Sequence, residues 1–591
     1  MYDNPYEQNK HKQSQETMKR KIDVAAKRRK AETVIKNGQI VDVFNQELIE
    51  ADVAIQDGSI VGIGQYDGEH IINAQGKYIA PSFIDSHVHI ESSMVTPQTF
   101  AKVVLPHGVT TIIADPHEIA NVAGAEGIQY MLDSSENLAL NVYMMVPSCV
   151  PATRFQNAGA VLKAEDIAPF YQHPRVLGLG EVMDYPSVNH NEETMVQKLY
   201  DAYIKNVKVD GHAAGLGPDA INVYMTAGIR TDHESISVQE AKDRLQRGMY
   251  LIIRQGSVAK DLPQLIDVIT DKNARRCLFG TDDKHIDDLV AEGSINHNVK
   301  LAIQHGVDPI NAIQMASLSA AECYGLDQKG AIAPGYDADL LILSDLRQVE
   351  IEQVFSAGKR VAEKGKYIAQ QENNVQPPPT LKHRIRVADM TTEQLNIHMA
   401  SSHSAHIIGI VPNRLVTEHL VEDVQVDQGL FQSSVERDQL KLAVIERHHQ
   451  TGNVGLGIVK GLGIKKGAIA TTIAHDSHNI ITAGTNDQDM LYAVKAIKDM
   501  GGGLVIVENE KVVASLALPI AGLISGDSVE QVHYTLKELK AGLRYIGASM
   551  EFNPFLTLSF LALPVIPDLK ITDKGLFDVI NFKHIDVEVN E

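Results

Sequence analysis

His87 and His89 sit two residues apart where the apolar run of residues 81–91, PSFIDSHVHIE, gives out. If residues 78–84 form a strand that continues through the pair, alternation puts both imidazoles on one face at its C-terminal end. Neutral imidazole is a common ligand for divalent transition metals, so two such rings can hold one ion from the same side. Four more donors follow at the ends of later apolar runs: Glu181 in GLGEVM, His212 in DGHAAG, His233 in TDHES and Asp282 in GTDDKH. Asp282 is preferred to Asp283 because it ends its run most directly. Four imidazoles and two carboxylates suffice for two ions if one carboxylate bridges them. Glu91, Ser92, His117 and Glu118 lie just past two of the same runs, and His475, Asp476, His478 and Asn479 form a separate polar cluster late in the chain.

The elements that must position these donors follow from hydrophobic texture. Residues 33–80 alternate in short β segments with Asn37-Gly38 and Asp57-Gly58 at the turns, the mark of a small β domain. Eight apolar runs then alternate with segments of helical period: 78–89, 109–115, 140–148, 176–183, 209–215, 228–234, 249–256 and 276–283. Helices are expected at 118–132, 192–205 and 238–247. Eight strand–helix units are what a closed barrel requires, and catalytic groups in that fold come from the C-terminal ends of several strands, which is where the donors fall. The expected class is α/β: a (β/α)8 TIM-like barrel flanked by a small β domain, plus a C-terminal α/β domain. Residues 1–80 hold a charged leader and the first part of the β domain, 81–325 the barrel, and 326–370 a return to the β domain. The polar, triple-proline stretch within 371–382 is a linker, and 383–591 form the last domain. The Gly-rich segment 455–467 does not match a dinucleotide-binding fingerprint.

With 54 Lys+Arg against 75 Asp+Glu, a formal charge of -21, a general polyanion binder is disfavoured and a small-molecule substrate fits better. Cys149, Cys277 and Cys323 are far apart with no CxxC spacing, so neither a disulfide framework nor a thiolate zinc site is indicated, and a cytoplasmic setting is expected. No apolar run is long enough to span a bilayer. The basic run KRRK at 27–30 reads as a solvated face.

Long segments of the chain resemble the adenine deaminase family of the amidohydrolase superfamily: HVHIESSMVTP (87–97), LPHGVTTIIADPHEIANV (105–122), GLGEVMDY (178–185), DGHAAGL (210–216), FGTDDKH (279–285) and AHDSHN (474–479). The resemblance implies a barrel beside a β domain, a C-terminal domain particular to this group, and a binuclear centre ligated by His87, His89, Glu181, His212, His233 and Asp282. Several superfamily members bridge their ions with a carboxylated lysine on the fourth strand. GLGEVM has none, so Glu181 would bridge directly. The donor set accepts Zn2+, Mn2+ or Fe2+, and the resemblance favours manganese or iron. The implied reaction is hydrolytic deamination of free adenine to hypoxanthine by a metal-bridging hydroxide, as in purine salvage, with Asp282 shuttling the proton and Glu118 or Glu91 protonating a ring nitrogen. Glu91, Ser92, His117, His475 and His478 are candidate contacts to the base. A homo-oligomer, dimer or higher, is expected, with no nucleic-acid or membrane partner. The alternatives are a binuclear amidohydrolase acting on a cyclic amide, dihydroorotase-like or hydantoinase-like, and a non-catalytic scaffold of the same fold.

Overall fold

The computed structural model describes residues 14–370, 375–382, 384–400 and 402–589. The first part of the expected leader and residues 371–374 of the expected linker lie outside these. From residue 14 onward the leader forms the helix Gln15–Ala25, N-capped by Ser14 and anchored through buried Val24 and an Arg20–Asp57 ion pair. The basic run after it is exposed.

Eight parallel strands form the centre: β1 (Phe83–Val88), β2 (Val109–Ala114), β3 (Asn141–Val146), β4 (Val176–Val182), β5 (Lys208–Gly211), β6 (Thr231–Asp232), β7 (Tyr250–Arg254) and β8 (Cys277–Gly280). Every residue of β1, β2, β4 and β8 is buried, as expected of strands covered on both faces. Hydrogen-bonded ladders run β1 to β5 and β6 to β8. The two sheets meet at two seams. At one, Arg230 N donates to Val209 O; at the other, Asp282 N donates to His87 O and His89 N to Asp282 O. The second seam ties the two ends of the barrel together at the strand ends that carry the ligand candidates.

The strands are shorter than their apolar runs. The run at 78–89 divides at Ser82: Tyr78–Pro81 joins the β domain, β1 enters the barrel, and His89 caps a one-turn helix at Ile90–Ser93. The expected helix at 118–132 is two, His117–Ala123 and Ala125–Ser134. Gly124 separates them with φ 63° and ψ −143°, a backbone state open essentially to glycine alone.

Around the barrel, Leu340–Asp345 pairs antiparallel with Tyr78–Pro81, so chain from both sides of the barrel shares one seven-stranded sheet. After the linker an eight-stranded sheet, almost wholly antiparallel, carries the helices Asp487–Met500 and Val529–Tyr545. The Gly-rich segment begins on its strand Val454–Lys460, where a Cβ at Gly455 would lie 1.8 Å from Thr572 O, so close strand packing accounts for that glycine. The largest apolar core is continuous across this sheet and the barrel, joining Val88 and Val182 to Ile408, Ile469 and Leu558.

Candidate active site

The six ligand candidates come together at the C-terminal mouth of the barrel, all buried. Strand β1 delivers His87, and the turn after it His89, with ring centroids 4.8 Å apart; the His87 ring stacks on that of His233 at 4.1 Å. Glu181, the penultimate residue of β4, lies between two groups of histidines. Its Oε1 is 3.7 Å from His87 Nε2, 3.4 Å from His89 Nε2 and 3.4 Å from His117 Nδ1. Its Oε2 is 2.8 Å from His212 Nδ1 and 3.2 Å from His233 Nε2. Asp282 Oδ1 lies 3.4 Å from His87 Nε2 and 3.1 Å from His89 Nε2.

Five of these seven separations fit a shared divalent ion, the His87–Glu181 pair being longer and the His212–Glu181 pair a hydrogen bond. Donor atoms that share one ion with bonds of about 2.1 Å are themselves about 3.0–3.4 Å apart. The buried Nε2 atoms of His87 and His212 and Nδ1 of His117 find no hydrogen-bond partner within the protein, and such atoms call for a ligand. His89 turns Nδ1 to Asp115 O at 2.9 Å and leaves Nε2 to the cluster, the division of labour found in metal-bound imidazoles. Burial alone would raise the Glu181 carboxyl, but the charge of His233 and hydrogen bonds from His212, His233 and His89 hold it well below the usual range. Asp282 is held low against burial in the same way by His87 and His89 and by the charge of Arg254.

The remaining candidates divide in two. His117, Glu118 and His475 line the cavity above the cluster. Glu118 opens the helix His117–Ala123, and each of its oxygens faces one imidazole from the late polar cluster: Oε1 lies 2.6 Å from His475 Nδ1, and Oε2 contacts His478 Nε2. His478 does not reach the cavity wall. Glu91 and Ser92 stand behind it as well. Glu91 Oε1 accepts from Ile119 N at the start of that helix, and burial pushes the carboxyl up to about 7. Ser92 Oγ donates to Asp283, which does line the cavity. The late cluster thus lies over the barrel mouth, with the His475 ring stacked on Phe560 at 4.2 Å.

Sequence reasoning missed several members. Arg254 ends β7, donates to Asp282 Oδ2 at 3.0 Å and pairs with Glu234 and Asp261. A charged residue ending YLIIR and a second carboxylate beside His233 were the available signals. Asp115 ends the second apolar run and accepts from Glu181 N at 2.9 Å. The apolar wall of Leu415, Phe560, Leu563 and Ile566 carried no signal, because it comes from the last part of the chain.

Comparison with known proteins decides the family. An amidohydrolase family model matches residues 78–361, and an adenine deaminase C-terminal domain model matches 414–583. Curated adenine deaminases of Halalkalibacterium halodurans and Geobacillus kaustophilus are each 56% identical, over 575 and 573 residues, covering 97% of this chain and 98% and 99% of theirs. That of Bacillus subtilis is 53% identical over 578 residues, covering 97% of this chain and 100% of its own.

This chain belongs to the adenine deaminase family. Amidohydrolases bind divalent metal, and the buried His, Asp and Glu groups at the barrel mouth are candidate sites for it. An adenine deaminase family chain with a glutamate at the end of β4 also makes sense of the missing lysine, since Glu181 already reaches both groups of histidines with its own two oxygens.

Proposed function

We propose that the chain hydrolyses adenine to hypoxanthine and ammonia. The observation that carries this reading is the buried Glu181 carboxylate, whose two oxygens face separate groups of histidines, in a chain with curated adenine deaminases as near full-length relatives. His87, His89, Glu181, His212, His233 and Asp282 would hold two divalent ions; the donor set accepts Mn2+, Fe2+ or Zn2+, and the family resemblance favours the first two. Ions held there supply the Lewis acidity that brings the pKa of water toward neutrality.

The residues supply the rest. Asp282 takes the proton of the attacking water and passes it to the departing amine. Its Oδ2 is held by Arg254, so the carboxylate cannot swing away. Glu118, held against burial as a carboxylate well below the usual range by His475 and His478, takes the other proton of the water and delivers it to a ring nitrogen as C6 becomes tetrahedral, and His117 and His475 contact the base. The apolar wall around Phe560 excludes bulk water and suits a flat ring. Atoms balance: adenine and one water give hypoxanthine and ammonia.

The acidic charge supports a free base over a nucleic acid, and the chain lacks the paired cysteines of the nucleic-acid deaminases. Curated relatives named as adenine deaminases do not favour a cyclic amide as substrate. We take residues 81–325 as the metal-binding barrel and 383–591 as the domain that completes the cavity, in a cytoplasmic homo-oligomer. No helix among the described residues is long and apolar enough to cross a membrane, and the three cysteines are free and buried.

The test is ammonia release from adenine, adenosine and a single-stranded oligonucleotide by manganese- or iron-loaded protein. Turnover of adenine alone is expected. Comparable or faster release from either larger substrate would overturn the free-base assignment.

A further inference from the structure

Next to the metal cluster lies a second, larger chamber. With Met183 where it stands, the inner cavity has a volume of about 20 Å3, room for a water; a purine enters only as that side chain moves. The outer one is about 420 Å3 and lies between the barrel loops after β4 and β5 and the segments 565–567 and 579–582 of the last domain. Met183 and His212 line both. His212 is also the most exposed of the six ligand candidates, at 7% against 1–5% for the others.

We propose that adenine reaches the cluster through this outer chamber and that Met183 is the side chain that admits or refuses it; the proposal rests on adenine being the substrate. Of the two shared wall residues, His212 is held by Glu181 at 2.8 Å and cannot step aside. Met183 is unbranched, with three rotatable bonds and a polarizable sulfur that tolerates an aromatic ring against it. The walls of the chamber suit an uncharged planar base. Val565, Val579, Ile580 and Phe582 face Tyr185 and Leu216 across it. Its one carboxylate, Asp184, is turned to the start of the helix Tyr185–Asn189, accepting from Ser187 N at 3.1 Å and Ser187 Oγ at 2.5 Å. At the tip of the hairpin formed by Gly575–Asp578 and Lys583–Ile585, Ile580 is 70% exposed and gives the chamber an apolar rim.

The chain contains no tryptophan, so Ile580→Trp puts a single tryptophan, excited apart from the tyrosines, at the rim without disturbing a buried side chain. Adenine should change its emission saturably. Met183→Trp should lower kcat/KM for adenine by about tenfold or more, with metal content at the wild-type level, and should slow extraction of the metal by dipicolinate, a flat chelator of similar size. Met183→Ala should move the kcat/KM ratio of N6-methyladenine to adenine upward by about tenfold. Wild-type protein active on adenine, with Ile580→Trp emission unchanged and both Met183 variants within about twofold of wild type on these ratios, overturns the route alone. Wild-type protein that releases no ammonia from adenine overturns instead the function on which the route rests.

Discussion

Asp282 is held from three sides. Its backbone adopts φ 55°, a left-handed state that Asp and Asn tolerate better than most residues, and its N and O pair with His87 and His89 across the barrel seam. Its side chain faces two imidazoles with one oxygen and Arg254 with the other. Asp282→Asn keeps the backbone preference and one ligating oxygen but cannot carry a proton. It should fold, retain most of its metal and lose ~10²–10⁴ in turnover. Elemental analysis beside steady-state ammonia release checks both halves, and a loss of less than about tenfold would move the shuttle to Asp283 or Glu118. His478 offers a sharper distinction. It touches Glu118 and stays off the cavity wall, so His478→Ala should cost about 10–100-fold in kcat with KM for adenine little changed. A rise in KM with kcat intact would make His478 a contact to the base.

Between residues and fold, the elements show why the convergence of the ligand candidates was legible and the cavity was not. Apolar runs mark parallel strands buried on both faces, and a polar residue ending such a run stands at the barrel mouth, so the six ligand candidates could be read from local texture. Strand limits could not, because Ser82 divides an uninterrupted apolar stretch between two sheets and only pairing partners reveal it. Arg254 was hidden because one charge after four apolar residues reads as an ordinary strand end. The wall of Leu415, Phe560, Leu563 and Ile566 reaches the site from far along the chain, and no local pattern encodes that approach. The break between His117–Ala123 and Ala125–Ser134 was signalled by a lone glycine inside a helical period. It matters because the first of the two helices sets Glu118. Gly124→Ala would force φ 63° and ψ −143° on a residue with a Cβ, placed 3.2 Å from Ala160 Cβ. It should destabilise the fold by about 1–3 kcal/mol, read as a lower urea midpoint. An unchanged midpoint would mean that the helix pair relaxes around the new methyl group.

For the whole molecule, the cluster of buried acids and imidazoles should make stability depend on metal. Purified protein should hold close to two ions per chain, since a bridging Glu181 leaves a group of histidines idle if only one is bound. Chelation should abolish turnover and lower the unfolding temperature together, because a ligand that binds only the folded state stabilises it by mass action. Full activity with one ion or none would sink the binuclear arrangement. The last domain is bound to the barrel by more than the linker. Ser525 N donates to Met94 O, Asn479 Nδ2 donates to Asn157 O, and Asp573 accepts from both the backbone and the side chain of Asn157. Val258 of the barrel packs with Leu556, Phe560, Leu563 and Ile566, and each such apolar side chain is worth about 1.5–3 kcal/mol when buried. A chain ending at Pro379 would therefore expose an apolar face and lose His475, His478 and the upper wall of the cavity at one stroke. It should bind a hydrophobic dye, migrate as aggregates on size exclusion and show almost no adenine turnover, while the full chain does none of these. A monodisperse truncated barrel with near-normal turnover would make the last domain an assembly module, and would return the acid and the water-excluding wall to the barrel itself.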